Sequence, residues 1–517
     1  MQSPPAHPAE DHFRSLSYIT LLTLLSAAIT GYHPYAEDAG IYLSGLRFAL
    51  NPALYSASQP FILAYMHLTL FPYALAELVR IFHLPLTWLL LITHLALLWL
   101  LLFAVQRLAV RCWDTPAIQW ASVALTAACL SIPVAGTALC IADPYLTPRS
   151  FATPLCLLLV TAVIDRSAFQ VILLLFATIA FHPLMGLYAG LFSLVLWTVS
   201  TRRTRGTLRV CLATVLGAIL LSLSQQSTVE SPAYIHAALT RTYFYLVQWQ
   251  WYEVLGLIAP LAIFLWMFRA NIRIRHATQS SKNRAALSGA AAACGITAIA
   301  ISSLLVHPSS HSHLLARLQL LRAFHAIYLL MFILLAGTLA QKLLQRLPSR
   351  LAFACLGMLF CLIAGTMFYV QRQIFPASAH LELPGRAVQN PWEQAFLWSR
   401  DHTPPDALFA LDANYITTPG EDGQTFRSLA ERSALSDYSK DGGSSAIFPQ
   451  LADKWQHDEP LSVDLSRIPD VERTSRLVPA GVSWVVLQQR FQSGSAQTQF
   501  TCPYRNATVM VCRLPLQ

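Results

Sequence analysis

The chain has 517 residues, 55% hydrophobic and only 12% charged, with a net charge of +9 and a mean hydropathy of +0.48. Soluble domains run about 45–50% apolar and about 25% charged, so this composition excludes an ordinary aqueous globule and asks for lipid as part of the solvent. The Lys and Arg residues are spread among short loops and form no stripe with interleaved aromatics, which argues against a nucleic-acid surface and reads as a topology signal.

A bilayer core of about 30 Å needs roughly 20 apolar residues per helix, because backbone polar groups find no other partners in lipid. On that measure about eleven spans are expected, near residues 16–31, 84–105, 117–139, 153–164, 169–181, 184–199, 208–223, 254–268, 287–306, 324–340 and 351–369, the fourth and fifth being short. Arg14 and the small residues Ser26, Ala27 and Ala28 leave a cleaved signal peptide as another reading of the first span. Residues 61–81 are also apolar, but Pro72, Glu77 and Arg80 interrupt them. Read as an interfacial helix, that segment leaves Arg107 and Arg111, then Arg202, Arg203, Arg205 and Arg209, then Arg269, Arg273, Arg275, Lys282 and Arg284, then Lys342, Arg346 and Arg350 on one side. Counting it as a span scatters them. The positive-inside rule then sets the amino terminus in the cytoplasm and the carboxyl terminus outside. Eight of the ten cysteines lie in or beside apolar segments without a CxxC pair and read as small core residues.

The loop after the first span carries an acidic pair, Glu37 and Asp38, ahead of an expected helix to Leu50. Carboxylates at that depth suit a general base or a metal ligand acting on an interfacial substrate. The alternative is that they cap the helix, whose amino-terminal dipole favours anions. Further on, Asp143 and Arg149 bracket a loop stiffened by Pro144 and Pro148. Arginine grips phosphate oxygens with two parallel bonds, so Arg149 is a candidate phosphate ligand, with Asp143 either its salt-bridge partner or a neighbour in the same cleft. Arg241, Arg317 and Arg322 are the other outward arginines; a salt bridge or a snorkelling side chain is the plainer account of each. His182, before Pro183, reads as a turn between spans or as a site group. Glu253 opens a span, and a carboxylate there usually faces a cavity or a partner. Tyr243, Phe244, Tyr245, Trp249, Trp251 and Tyr252 read as an interfacial belt sooner than as a sugar platform. His307, His311 and His313 read as a solvated loop, since no matching carboxylate motif follows.

The pattern divides the chain into a transmembrane domain, 1–375, with interfacial helices in a first outer loop, 31–83, and a soluble extracytoplasmic α/β domain, 376–517. The latter is expected to hold a helix at 392–400, strands at 407–411 and 482–487, and a final hairpin around Asn506. Cys502 and Cys512 flank that hairpin and lie opposite each other if the turn is centred near Ala507, so an oxidising compartment would join them in a disulfide. Arg427, Glu431, Arg432, Asp437 and Lys440 read as a polar surface coat.

A first span, an outer loop opening on an acidic pair, many further spans and an outward carboxyl-terminal domain together resemble the GT-C class of membrane glycosyltransferases. Residues 37–42 (Glu-Asp-Ala-Gly-Ile-Tyr), 145–149 (Tyr-Leu-Thr-Pro-Arg) and 251–253 (Trp-Tyr-Glu) are also similar to a family of uncharacterised bacterial membrane proteins without an established reaction. The resemblance implies a polytopic helical protein of the bacterial inner membrane that moves a sugar from a polyprenyl-phosphate-linked donor to an extracytoplasmic acceptor. Carried over by position, Asp38 is the first catalytic candidate and Glu37 the second; the reading of the residues themselves adds Arg149, Arg322, Asp143, Glu253 and His182 as candidate phosphate or substrate ligands. Glu-Asp stands where metal-using members carry Asp-x-Asp, which leaves a divalent metal open. The competing readings are a lipid or glycan transporter or flippase, expected to show midplane polar residues, broken helices or repeats, and a non-catalytic envelope assembly protein. Most spans lack charge in their central thirds, which favours the enzyme over the transporter.

Overall fold

The computed structural model describes residues 8–201, 204–225, 229–274, 276–418, 420–423, 425–491, 494–495 and 497–515. Arg202, Arg203 and Arg275 of the expected basic loops lie outside them. Among the described residues eight helices are long and apolar enough to cross a membrane: Phe13–Thr30, Leu86–Cys112, Pro183–Ser200, Arg205–Ser224, Trp251–Ile272, Gln279–Leu305, Leu314–Arg346 and Ser349–Ile374. Each covers one expected span. Two further expected spans form the shorter helices Pro148–Ile164 and Ala168–Phe181.

The expected helix at 117–139 is corrected. It runs only over Pro116–Ala128, and the chain then enters a small hairpin pairing Pro133–Val134 with Leu139–Cys140. Proline lacks the N–H that a helix interior needs and disfavours helical backbone before it, while Gly136, at φ +68°, makes the turn. Residues 59–82 form two helices, Gln59–Met66 and Phe71–Phe82, bent by 92°.

Leu208, Leu212, Leu216 and Leu220 line one face of Arg205–Ser224 at four-residue spacing, each more than half exposed. Met358 and Leu362 do the same on Ser349–Ile374. Apolar faces of that size favour transfer out of water by about 25 cal/mol per Å² and suit a lipid environment. At one end of the bundle the basic loops meet: Arg111 donates to Asp165 at 2.7 Å, Arg284 donates to Asn271 at 3.0 Å, and Arg284 also donates to the Cys112 carbonyl. Elsewhere, the backbone N–H of His33 donates to the Pro144 carbonyl at 2.8 Å, bringing the first loop onto the 143–149 loop.

The carboxyl-terminal region gathers the expected strands and final hairpin into one five-stranded sheet, in the order Ser433–Ala434, Leu408–Leu411, Trp484–Gln488, Val509–Arg513, Thr501–Arg505. The first three strands are parallel, and the last two join antiparallel. The Cys502 and Cys512 sulfurs are bonded at 2.03 Å across the final hairpin. Alternate residues of Trp484–Gln488 enter different cores, Val485 and Leu487 on one face and Trp484 and Val486 on the other, as a period of two requires when both faces are covered. The second core also takes in Tyr35, Ala39, Leu43, Leu46, Phe71 and Leu75. A boundary at 375/376 therefore does not separate two hydrophobic cores: the first loop and the carboxyl-terminal sheet share one. Burying leucines such as Leu43 and Leu46 is worth about 1.5–3 kcal/mol each, enough to hold the acidic pair against the sheet domain.

Candidate functional site

Helix Ala39–Leu50 begins directly after the acidic pair. Asp38 occupies its N-cap position but makes no side-chain cap bond, so helix capping is not what this carboxylate does. Glu37 adopts left-handed backbone at φ +50°, a strain of roughly 1–3 kcal/mol for a residue with a side chain. Both carboxylates converge on one ammonium group. Lys440 Nζ donates to Asp38 Oδ1 at 2.9 Å and also to Glu37 Oε2. The Lys440 side chain is only 12% exposed, whereas Asp38 keeps 34% and Glu37 46%; the amine lies behind the pair and the carboxylates remain open in front. Burial alone would raise the Asp38 pKa, but Lys440, Arg149 and Arg322 outweigh it and hold the group at about 2. For Lys440, burial favours the neutral amine, and the two carboxylates overcome that and raise its pKa.

The helix Lys440–Ile447 is fastened at both ends, by Arg241 and by Arg317. Arg241 donates to the carbonyls of Ser439 at 3.0 Å and Tyr438 at 2.6 Å, with its guanidinium 5.1 Å from the Tyr438 ring centre. Arg317 donates to the Ile447 carbonyl at 3.3 Å. Arg427 grips Asp441 through two bonds of 2.7 and 2.8 Å, and Arg47 pairs with Glu431 at 2.9 Å. The expected polar coat is thus corrected: Arg427, Glu431 and Lys440 are docking and site groups, and Arg432 is buried, donating to the Arg400 and Thr403 carbonyls. Sequence reasoning missed Lys440 as a site residue. It lies 402 residues from Asp38, and its only local signal was a lysine in a polar run.

Arg149, one residue into the helix Pro148–Ile164, bonds Asp143 at 2.5 Å with both side chains nearly sealed. Its Nε has no hydrogen-bond partner. Burial raises the Asp143 pKa, and Arg149 works against that. Arg149 is therefore a salt-bridge partner and a site neighbour at once, since it also acts electrostatically on Asp38. Beside the pair, His94, Leu97, Leu98 and Leu101 wall a cleft of about 380 Å³, mouth included. Arg322, on a short 3-10 turn, Leu320–Ala323, makes no ion pair among the described residues; its guanidinium lies 5.1 Å from the Tyr243 ring centre. His182 caps helix Pro183–Ser200 by accepting from the Met185 N–H at 3.4 Å. Burial, then Arg149 and Arg322, push its pKa down to about 3, so the ring is neutral. Arg149 and Arg322 thus act electrostatically on both Asp38 and His182, and Asp38 and Glu37 act on Asp143.

Glu253 does not join them. Its carboxylate accepts from the Gln250 backbone N–H at 2.7 Å and closes a capping box; the expected ligand is a helix cap. His313 is also corrected: it is buried and bonded to Glu230 at 2.6 Å, while His307 and His311 are exposed. Of the aromatic run, Phe244, Tyr245 and Trp249 are buried, and only Trp251 and Tyr252 stand out as a belt would. Among the described residues no group of three or more His, Cys, Asp or Glu side chains is placed to hold a metal ion; an ammonium already sits between the two front carboxylates.

Gln319 was not anticipated either. It is 6% exposed, its backbone is left-handed at φ +48°, and both its side-chain Nε2 and Oε1 lack partners. A buried, unsatisfied polar group costs about 1–3 kcal/mol. Gln319 and Arg322 line one small pocket, with room for about one water.

No protein-family model matches the chain, and no curated protein matches it in sequence.

Proposed function

We propose that this chain is a membrane glycosyltransferase of the GT-C kind, transferring a sugar from a polyprenyl-phosphate-linked donor to an acceptor outside the cytoplasmic membrane. The observation that carries this reading is a pair of open carboxylates, Glu37 and Asp38, with Arg149 and Arg322 acting electrostatically on Asp38, next to a leucine-walled cleft. Cations that can hold a phosphate, a carboxylate that can take a proton and an apolar wall for a lipid tail are what such a reaction requires.

In the reaction the acceptor oxygen bonds to the anomeric carbon and the bond from that carbon to the phosphate oxygen breaks, its electron pair leaving with the phosphate. The acceptor's proton passes to Asp38. Glycosyl transfer runs through an oxocarbenium-like transition state, in which deprotonation lags behind bond breaking, so a carboxylate with a low pKa serves. Fixed donors at the leaving phosphate lower the barrier because they need little reorganisation. Arg149 and Arg322 supply that positive charge.

Replacing Asp38 by Asn keeps its size and removes the proton acceptor. Transfer to lipid-linked or cell-surface glycans should fall by about 10²–10⁴-fold in a strain that depends on this protein, followed by mass spectrometry of its lipid-linked intermediates. Unchanged glycans in that strain would falsify the reading.

A further inference from the structure

Glu37 and Asp38 share one ammonium group but face different surroundings. Glu37 lines an open cleft, and Asp38 is not part of its wall. The cleft lies between the end of the last apolar helix, at Ile374 and Phe375, and residues 416–418 and 420–423 of the carboxyl-terminal domain. It encloses about 180 Å³, roughly ten times the space that one water needs, which leaves room for a sugar ring.

The outer wall is held in place by its own side chains. Glu421 accepts from Trp392 Nε1 at 3.0 Å and from Gln488 Nε2 at 2.6 Å, and Asp422 accepts from the Ala377 N–H at 2.9 Å. A Cβ on Gly423 would lie 2.8 Å from the Tyr415 carbonyl oxygen, so a glycine lets the backbone approach that closely. Both oxygens of Glu421 are thus engaged, whereas Glu37 gives one oxygen to Lys440 and keeps its side chain 46% exposed. Glu37 is the carboxylate that the cleft offers to a ligand. Charge then narrows the choice of ligand. Glu37, Glu421 and Asp422 line the cleft, and among the described residues no Lys, Arg or His does, so a phosphate or a carboxylate is repelled. A carboxylate accepts from hydroxyl groups, and Ile374, Phe375 and Ile416 give an apolar wall for the C–H face of a sugar.

We propose that this cleft is the acceptor site, that it takes a sugar bearing free hydroxyls and no anionic group, and that Glu37 holds that sugar by accepting from one of its hydroxyls. This rests on the transferase reading above. The two carboxylates then divide the work: Glu37 orients the acceptor, and Asp38, bonded to the same ammonium, takes the proton of the reacting hydroxyl.

The test uses the full-length protein in lipid nanodiscs, titrated by ligand-observed NMR with methyl glucoside and with methyl glucuronide, which differ only in carrying a hydroxymethyl or a carboxylate at C6. The wild type should bind the glucoside at least about tenfold more tightly, as like-charge exclusion requires. Glu37→Gln should weaken the glucoside several-fold. Thr418→Trp, which fills the cleft from its wall, should abolish glucoside binding, and Thr418→Val should keep it. Glucuronide bound as tightly as glucoside, glucoside binding that survives Thr418→Trp, or no glucoside binding by the folded wild type overturns the acceptor assignment. In a strain that depends on this protein, Thr418→Trp should also cut the glycan product by at least about tenfold, as a displaced reactant does, and let the lipid-linked donor accumulate. Glycans unchanged in Thr418→Trp but lost in Asp38→Asn overturn the cleft assignment and leave the transferase reading standing; glycans unchanged in both variants count against that reading itself.

Discussion

The Lys440 ammonium sits between two carboxylates; burial is the largest single influence on Asp38 and favours its neutral acid, and Lys440, Arg149 and Arg322 together overcome it. Replacing Lys440 by Met removes the largest charge that lowers the Asp38 pKa, so that pKa should rise from about 2. The acid limb of the pH–rate profile for sugar transfer should then move upward by about one pH unit or more, whereas Lys440→Arg should leave it near its original place; a limb that stays put in Lys440→Met would show that the amine does not set this carboxylate. Not every residue of the site was equally visible beforehand. Glu37, Asp38, Asp143, Arg149, His182 and Arg322 were legible because charged or ionisable side chains are rare at the ends of apolar segments. Glu253 misled for the same reason, since a local backbone bond to Gln250 satisfies it. Lys440 was legible only as one lysine in a polar run and Gln319 not at all: the partner of one and the isolation of the other exist only in three dimensions.

At the scale of elements, the close seat of helix Ala39–Leu50 on the carboxyl-terminal domain depends on one glycine. A Cβ on Gly40 would lie 1.3 Å from Thr425 Oγ1 and 2.1 Å from its Cβ, far inside van der Waals contact. Gly40→Ala should therefore destabilise the protein by about 1–3 kcal/mol or more, as overpacking does, and Thr425→Gly should recover part of that loss in the double variant. Denaturant unfolding of the two single variants and the double would decide, because strictly additive losses would mean that the two sites do not touch. Gly40 sits in the stretch 37–42 on which the family resemblance rests, and this contact supplies a physical reason for a glycine there. The hairpin of Cys502 and Cys512 was readable from local sequence, whereas the break in residues 59–82 falls between Met66 and Phe71, ahead of Pro72. The over-long helix at 117–139 was an error of weighting, because hydrophobicity continues past Pro133 and Gly136 while the backbone cannot.

Across the whole molecule, the first loop and the carboxyl-terminal domain meet at a second, buried polar cluster. His33 Nδ1 lies 3.0 Å from Glu382 Oε1, Tyr32 forms a parallel bridge with Leu381, and Glu382 acts electrostatically on Glu393. Asp422 and Arg372 act on His33, and His380 packs edge-on to its ring. Burial raises the pKa of Glu382 and of Glu393 above the usual carboxylate range, and it lowers that of His33 to about 4 against an ordinary 6.5. The two glutamic acids contribute stability that is complete below their ordinary pKa of 4.5 and is lost as pH rises toward their folded values. The histidine contributes stability that is present above 6.5 and is lost as pH falls through about 4. Docking of the two regions should accordingly weaken on both sides of mildly acidic pH, and Glu382→Gln, which cannot ionise, should flatten the alkaline side. Thermal unfolding measured from pH 4 to pH 9 checks this; an unaltered alkaline slope in Glu382→Gln would remove the glutamate from the account.

Composition and the lengths of apolar runs determined by themselves that the chain is mostly helical, with many helices apolar enough for a bilayer, and that a small α/β region follows. Burial in lipid and strand alternation act on consecutive residues, so the linear order already contains them. Only tertiary structure decided that the carboxyl-terminal domain shares a core with the first loop, that Lys440 meets Asp38 across 402 positions, and that Gln319 is sealed without a partner. Those facts depend on distances in space, and packing sets such distances by shape and charge between segments whose separation along the chain carries no information about them.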